Sequence, residues 1–336
     1  MNSKDEIVRI FDDKGGDTHP PAIFTQSGTV GQMDACGACW PEANFDADKM
    51  ATLALQPHER FGFATARVPF CITVDADAFG CDINRGSPNA QPSVAGSRYF
   101  DDMGILDVPD DLPTPEDFLT DPRVRTVIDA AGMLANREDL FLVSGMNGPV
   151  ACVNNLLGMD NVMMALMMEP ERIDSWLKAV LPHLKGYASA LSEISDDVMI
   201  IEEAASDIFP PEFFDSIFEP YLPEVIRAAK KGSFCTTHTC GDTMDVADRL
   251  AGLGQDGISL QASSDPQAYI DLVAGRTLML GAVNPVATLL SKGPAEVVSE
   301  AKRSAELGFD IVTPECGVPP MTPDANLEAL ARYREL

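Results

Sequence analysis

The stretch Ser233–Gln261, SFCTTHTCGDTMDVADRLAGLGQDGISLQ, decides how the chain is read. It opens with a short apolar run rich in β-branched residues, Ser233–His238, and closes with another, Gly257–Gln261, with a plausible helix between them. Strand, helix, strand is the repeating unit of a parallel sheet wrapped by helices. Two further runs follow, Leu278–Val283 and Phe309–Glu315, and four precede: Ala22–Gln26, Phe63–Val68, Leu140–Met146 and Val198–Glu202. Eight such runs with helical stretches between them predict an α/β fold, a (β/α)8 TIM barrel. A length of 336 residues suits one barrel spanning 1–336 as a single domain.

Helical periodicity is clearest in Glu171–Ile194, Pro211–Lys231 and Pro294–Leu307, where apolar positions recur three or four apart. These form the expected outer ring. From Cys81 to Asp117 the rhythm breaks on Gly86, Pro88, Pro92, Gly96, Pro109, Pro113 and Pro115, so an irregular insertion at about 81–117 is expected, a binding loop or an ordinary surface excursion. Met163–Met168 is Met-rich at helical spacing and reads as core packing. Asp75 and Asp77 read as surface acids before a carboxylate pair, and Cys36 and Cys39 as half a metal or redox motif with no second half.

Fifty-two acidic residues against 24 basic ones give a net charge of −28, which argues against nucleic acid and anionic membrane surfaces as partners. No apolar h-region opens the sequence and no run of about 18 apolar residues occurs, so a cytoplasmic location is expected. Eight cysteines are too sparse for a disulfide scaffold and direct attention to metal or catalytic thiols.

At the end of the fifth run, His238 and Cys240 lie two apart, so both side chains leave the strand on one side and can reach one ion. Imidazole with thiolate is a zinc pair by ligand softness. Cys316, in Thr313-Pro-Glu-Cys316-Gly, follows the eighth run, and all strand C-termini of a barrel converge on one face. Three protein ligands leave zinc an open fourth position, the pattern of a catalytic site, where the metal replaces the proton of a bound thiol. Glu202, Glu203, Asn147 and Asn284 end other strands on that face and are candidates for orienting His238 or the substrate.

The blocks Thr237-His238-Thr-Cys240-Gly, Gly257-Ile-Ser-Leu260 and Thr313-Pro-Glu-Cys316-Gly-Val-Pro-Pro-Met-Thr-Pro323 resemble the signature of the methylcobamide:coenzyme M methyltransferases, a branch of the uroporphyrinogen decarboxylase superfamily. Trp40-Pro-Glu-Ala43, Arg67-Val-Pro-Phe70 and Ala204–Ser206 extend the likeness upstream. The resemblance implies a TIM barrel, Zn2+ on His238, Cys240 and Cys316, a methylated corrinoid protein as donor and a small thiol, coenzyme M, as acceptor. It also implies a role for the end of the Gly257–Gln261 run. Relatives commonly carry a glutamate there as a fourth zinc ligand, and this chain carries Gln261, whose amide carbonyl ligates more weakly.

Porphyrinogen decarboxylation is disfavoured, because His19–Ser27 offers no Arg or Lys to grip substrate carboxylates. Two alternatives stay open: a zinc methyltransferase with another thiol or a pterin partner, and a non-catalytic corrinoid-protein-binding homologue whose zinc is structural.

Overall fold

The computed structural model describes residues 3–101, 104–262, 264–273 and 275–336. Seven parallel strands form one curled sheet in chain order: β1 (Thr65–Val68), β2 (Phe141–Asn147), β3 (Asp197–Glu202), β4 (Phe234–Thr239), β5 (Gly257–Leu260), β6 (Leu278–Val283) and β7 (Ile311–Pro314). All seven are buried almost throughout, as strands covered on both faces must be.

The first expected strand, Ala22–Gln26, occupies the eighth place in the wall without becoming a ladder strand. It makes one parallel bridge, Pro21 to Val312, with Ala22 N–H donating to Val312 O and Val312 N–H to Pro20 O. Pro20 and Pro21 have no N–H to give, which ends regular pairing there. On the other side, Ile23 N–H donates to the Thr65 hydroxyl at 2.9 Å where a ladder would use a carbonyl. The wall is therefore closed by a stitched segment between β7 and β1.

Below the sheet, the helix Ser3–Asp13 lays Phe11 across the N-terminal ends of the strands. Its ring stacks on Phe234 at 4.6 Å and on Phe141 at 5.9 Å, with Phe24 alongside at 6.2 Å. These rings plug the bottom of the barrel.

In the outer ring, Pro170–Ser192 and Pro294–Leu307 match their expected helices. The third does not. Pro211–Lys231 breaks into Pro211–Phe213, Phe214–Ile217 and Leu222–Ala229, because Pro220 and Pro223 can start a helix but not continue one. The insertion at 81–117 contains two small hairpins, Asp82–Asn84 with Ser93–Gly96 and Phe100–Asp101 with Gly104–Ile105; residues 102–103 lie outside the described residues.

Two further readings of the sequence are corrected. Helix Met159–Met168 turns Met164, Met167 and Met168 outward, the last two nearly four-fifths exposed, while Val162 and Leu166 carry the packing. Helical spacing marks one face for burial, but a run this rich in Met also fills the opposite face. Asp75 is no surface acid: it is buried, and its carboxylate accepts from Asn147 Nδ2 at 2.8 Å, whereas Asp77 faces Arg123 at 3.6 Å. Among the described residues, no single helix is long and apolar enough to cross a membrane.

Candidate metal centre

Strand register sets one rung of the barrel interior: Asn147 pairs with Ile201, Ile201 with His238, and His238 with Ser259. His238, buried on that rung, points its ring at the C-terminal mouth. Nδ1 lies 3.0 Å from Ser259 Oγ, and with Nδ1–H donating there, Nε2 presents its lone pair to Cys240 Sγ, also at 3.0 Å.

Cys240 is the first residue beyond β4, on the same side as His238. Gly241 then turns the chain at φ 78°, where any side chain would press on Ala205. Cys316 arrives from the loop after β7, which is tied to the stitched segment by Thr25 Oγ1 donating to Cys316 O at 2.8 Å and by Val318 N–H donating to Gln26 O at 2.7 Å. The two sulfurs stand 2.8 Å apart, and the donor atoms of His238, Cys240 and Cys316 all lie within 4.8 Å of one another. The hydrogen bond between the two thiols, helped by His238, holds Cys316 well below the usual thiol range and pushes Cys240 well above it.

This donor set fits zinc. Two sulfurs and an imidazole nitrogen with its other nitrogen already engaged are soft, convergent and correctly oriented. Seating an ion with zinc–sulfur bonds near 2.3 Å opens the two sulfurs to roughly 3.7 Å, a small adjustment for side chains at a mouth where Cys240 is exposed.

The three donors border a cavity of about 320 Å3 that is also walled by Gln26, Ile72, Met159, Ile201, Glu202 and Glu203. Gln91 of the 81–117 insertion lines it too, so the insertion reaches the mouth. Glu202 is wholly buried and accepts backbone N–H from Val150 at 3.1 Å and Ala151 at 2.9 Å, at the start of helix Pro149–Leu157. Gly148 leaves the room, since a Cβ there would overlap the Glu202 carboxylate. Burial pushes that carboxyl up to about 8 even against these donors. Glu203, beside it, accepts from Asn154 at 2.6 Å and is raised by burial as well.

The other expected residues, Gln261, Asn147 and Asn284, do not line this cavity. Gln261 Oε1 accepts from Gly241 N–H at 2.9 Å, and its side chain lines a neighbouring groove with Asn284 and Glu300. Asn147 Nδ2 donates to Ile72 O at 2.7 Å and to Asp75. Asn284 caps the turn Pro285–Leu290 and donates to Glu315 Oε1 at 2.9 Å. The residue that orients the His238 ring is thus Ser259, not one of the four strand-end candidates. Its signal was in the sequence: Ser259 and Gln261 alternate on one face of a strand adjacent to His238.

A parallel barrel with a His-Cys-Cys cluster and a cavity at its C-terminal mouth is the layout of a barrel enzyme whose site lies on that face. The sequence profile of the uroporphyrinogen decarboxylase (URO-D) family matches residues 2–335, and the chain belongs to that family. It is 30% identical to the methylcobamide:CoM methyltransferase MtaA of Methanosarcina barkeri, covering 99% of this chain and 97% of the relative. It is 32% identical to the methylcobamide:CoM methyltransferase MtbA of Methanosarcina acetivorans, over 97% and 96% of the two chains. Among solved structures, a methyltransferase from Methanosarcina mazei superposes with a TM-score of 0.91 at 30% identity, covering 100% of this chain and 98% of the other. A B12-independent methionine synthase from Shewanella, at 15% identity and a TM-score of 0.56, shares the fold.

Proposed function

We propose that the chain is a zinc-dependent methyltransferase that moves a methyl group from a methylated corrinoid on a partner protein to a thiol, coenzyme M. Residues 1–336 then work as one catalytic domain. The observation that carries this reading is the convergence of His238, Cys240 and Cys316 at the wall of a cavity on the C-terminal face. The names of the relatives at 30% and 32% identity support the donor and the acceptor.

His238, Cys240 and Cys316 hold the zinc, which when bound takes the place of a thiol proton and supplies the nucleophilic thiolate at neutral pH. Ser259 fixes the His238 ring so that Nε2 faces the ion. Gln261 acts through Gly241, holding the turn that aims Cys240. Glu202 stays largely neutral near pH 7 and, with Ile72, Ile201 and Met159, keeps the wall dry and weakly charged around the reacting sulfur. Asn147 supports that wall from behind through Ile72 and Asp75.

A second reading keeps the zinc and changes the partner, to another thiol or a pterin; the observation behind it is Gln261, a neutral side chain turned toward Gly241. A non-catalytic role with a structural zinc calls for four protein ligands, and among the described residues three His, Cys or carboxylate donors cluster here. The test is metal analysis followed by spectral measurement of methylcobalamin consumption with coenzyme M. Absence of bound zinc, or turnover unchanged in Cys316→Ala, refutes the proposal.

A further inference from the structure

Arg67 lies on β1 in register with Val143, whose side chain belongs to the inner barrel cluster, so Arg67 also points inward. It is 3% exposed. Nη1 donates to Pro69 O, but Nε and Nη2 have no acceptor, and no carboxylate pairs with the guanidinium among the described residues. The other deeply buried arginine, Arg123, contrasts: it reaches Asp77, Asn44 O and Cys71. Space is kept for the Arg67 guanidinium by Gly145, where a Cβ would overlap it. Burial pushes this group down to about 10, so it remains a cation at neutral pH. A buried cation with two open donors is costly unless an anion completes it.

Gly145 lines a cavity of about 10 Å3, the size of one water. Ile72 and Ile201 line both that cavity and the one beside the metal cluster. A flat, protein-borne methyl donor approaches the cluster from solvent, so the acceptor's tail has to lie on the barrel side of its sulfur, toward these isoleucines. Resting on the methyltransferase reading, we propose that Arg67 binds the anionic end of the acceptor thiol, a sulfonate, through its open Nε and Nη2, with Ile72 and Ile201 turning aside to admit it. Arg67 is then the residue that selects a charged small thiol over a neutral one.

The test has two arms on the full-length chain. In the first, ethanesulfonate, which has the tail and no thiol, is titrated calorimetrically. It binds the wild type and weakens at least tenfold in Arg67→Met, with Arg67→Lys between. In the second, zinc-loaded enzyme transfers methyl from free methylcobalamin to 2-mercaptoethanesulfonate, 3-mercaptopropionate or 2-mercaptoethanol. The wild type favours the sulfonate over the neutral thiol at least tenfold in kcat/KM, and Arg67→Met brings that ratio toward one. Equal kcat/KM for the charged and neutral thiols in the wild type, or a preference for the carboxylate, overturns the assignment even if Arg67→Met does not fold. So does absence of ethanesulfonate binding to the wild type. Failure of transfer to every thiol while ethanesulfonate still binds refutes the methyltransferase reading and leaves the anion site standing.

Discussion

Replacing Ser259 with alanine isolates the hydrogen bond that orients the histidine of the proposed zinc site. Ser259 is fully buried and His238 is 1% exposed, so water cannot take the place of the lost hydroxyl. The substitution leaves Nδ1–H without the partner it has at 3.0 Å, or lets the ring change tautomer and put its proton on Nε2. Leaving a buried donor unsatisfied costs about 1–3 kcal/mol. Since about 1.4 kcal/mol is a factor of ten, zinc affinity should fall roughly tenfold to one hundredfold, the range seen when such orienting partners are removed. Competition against a chromophoric chelator reads this directly, with the melting temperature of the metal-free protein as the control for folding. Ser259→Thr keeps the hydroxyl and should recover most of the affinity. A zinc affinity within threefold of wild type in Ser259→Ala would refute the reasoning, because His238 would then need no partner to face the ion.

Cys240→Ser and Cys316→Ser should each lose zinc at stoichiometric metal, measured by elemental analysis, because either change removes a soft donor from a three-donor set. The contribution of Glu202 to thermal stability should fall as pH rises from about 4.5 to 8. Glu202 is raised from 4.5 to about 8 by burial, so its contribution is complete below pH 4.5 and is lost as pH climbs through 8; Asp75 and Asp197 are pushed the same way. Glu202→Gln should flatten that slope in a pH series of melts. On the methionine helix, Met167→Ala and Met168→Ala should alter unfolding free energy by no more than about 0.5 kcal/mol, while Leu166→Ala, at 4% exposure, should cost about 2–5 kcal/mol in denaturant titrations.

Much of the barrel was readable from β-branched runs between turn signals, because parallel strands buried on both faces leave that mark. The stitched segment at Pro20–Gln26 was not: its residues look like a strand, and only the pairing geometry reveals that two prolines and the Thr65 hydroxyl replace the ladder. The break in Pro211–Lys231 was legible in Pro220 and Pro223, which periodicity alone outweighed. At the site, His238, Cys240 and Cys316 come together as their strand ends suggested, since topology brings strand C-termini to one face. Hydrogen-bond partners are a finer matter. Glu202 ends a strand as expected, yet its carboxylate serves the helix Pro149–Leu157, and which of several nearby polar groups turns to His238 depends on rotamers that spacing does not encode.

The aromatic plug of Phe11, Phe24, Phe141 and Phe234 fills the N-terminal end of the barrel, opposite the metal-binding candidates. If, on the proposed function, a donor protein covers the C-terminal mouth during transfer, a small acceptor beneath it cannot leave through the plugged end. On that proposal the thiol would enter first, the donor would dock second, and the methylated thiol would leave after the donor departs, so that turnover would be timed by the lifetime of the encounter between two proteins as much as by the transfer itself.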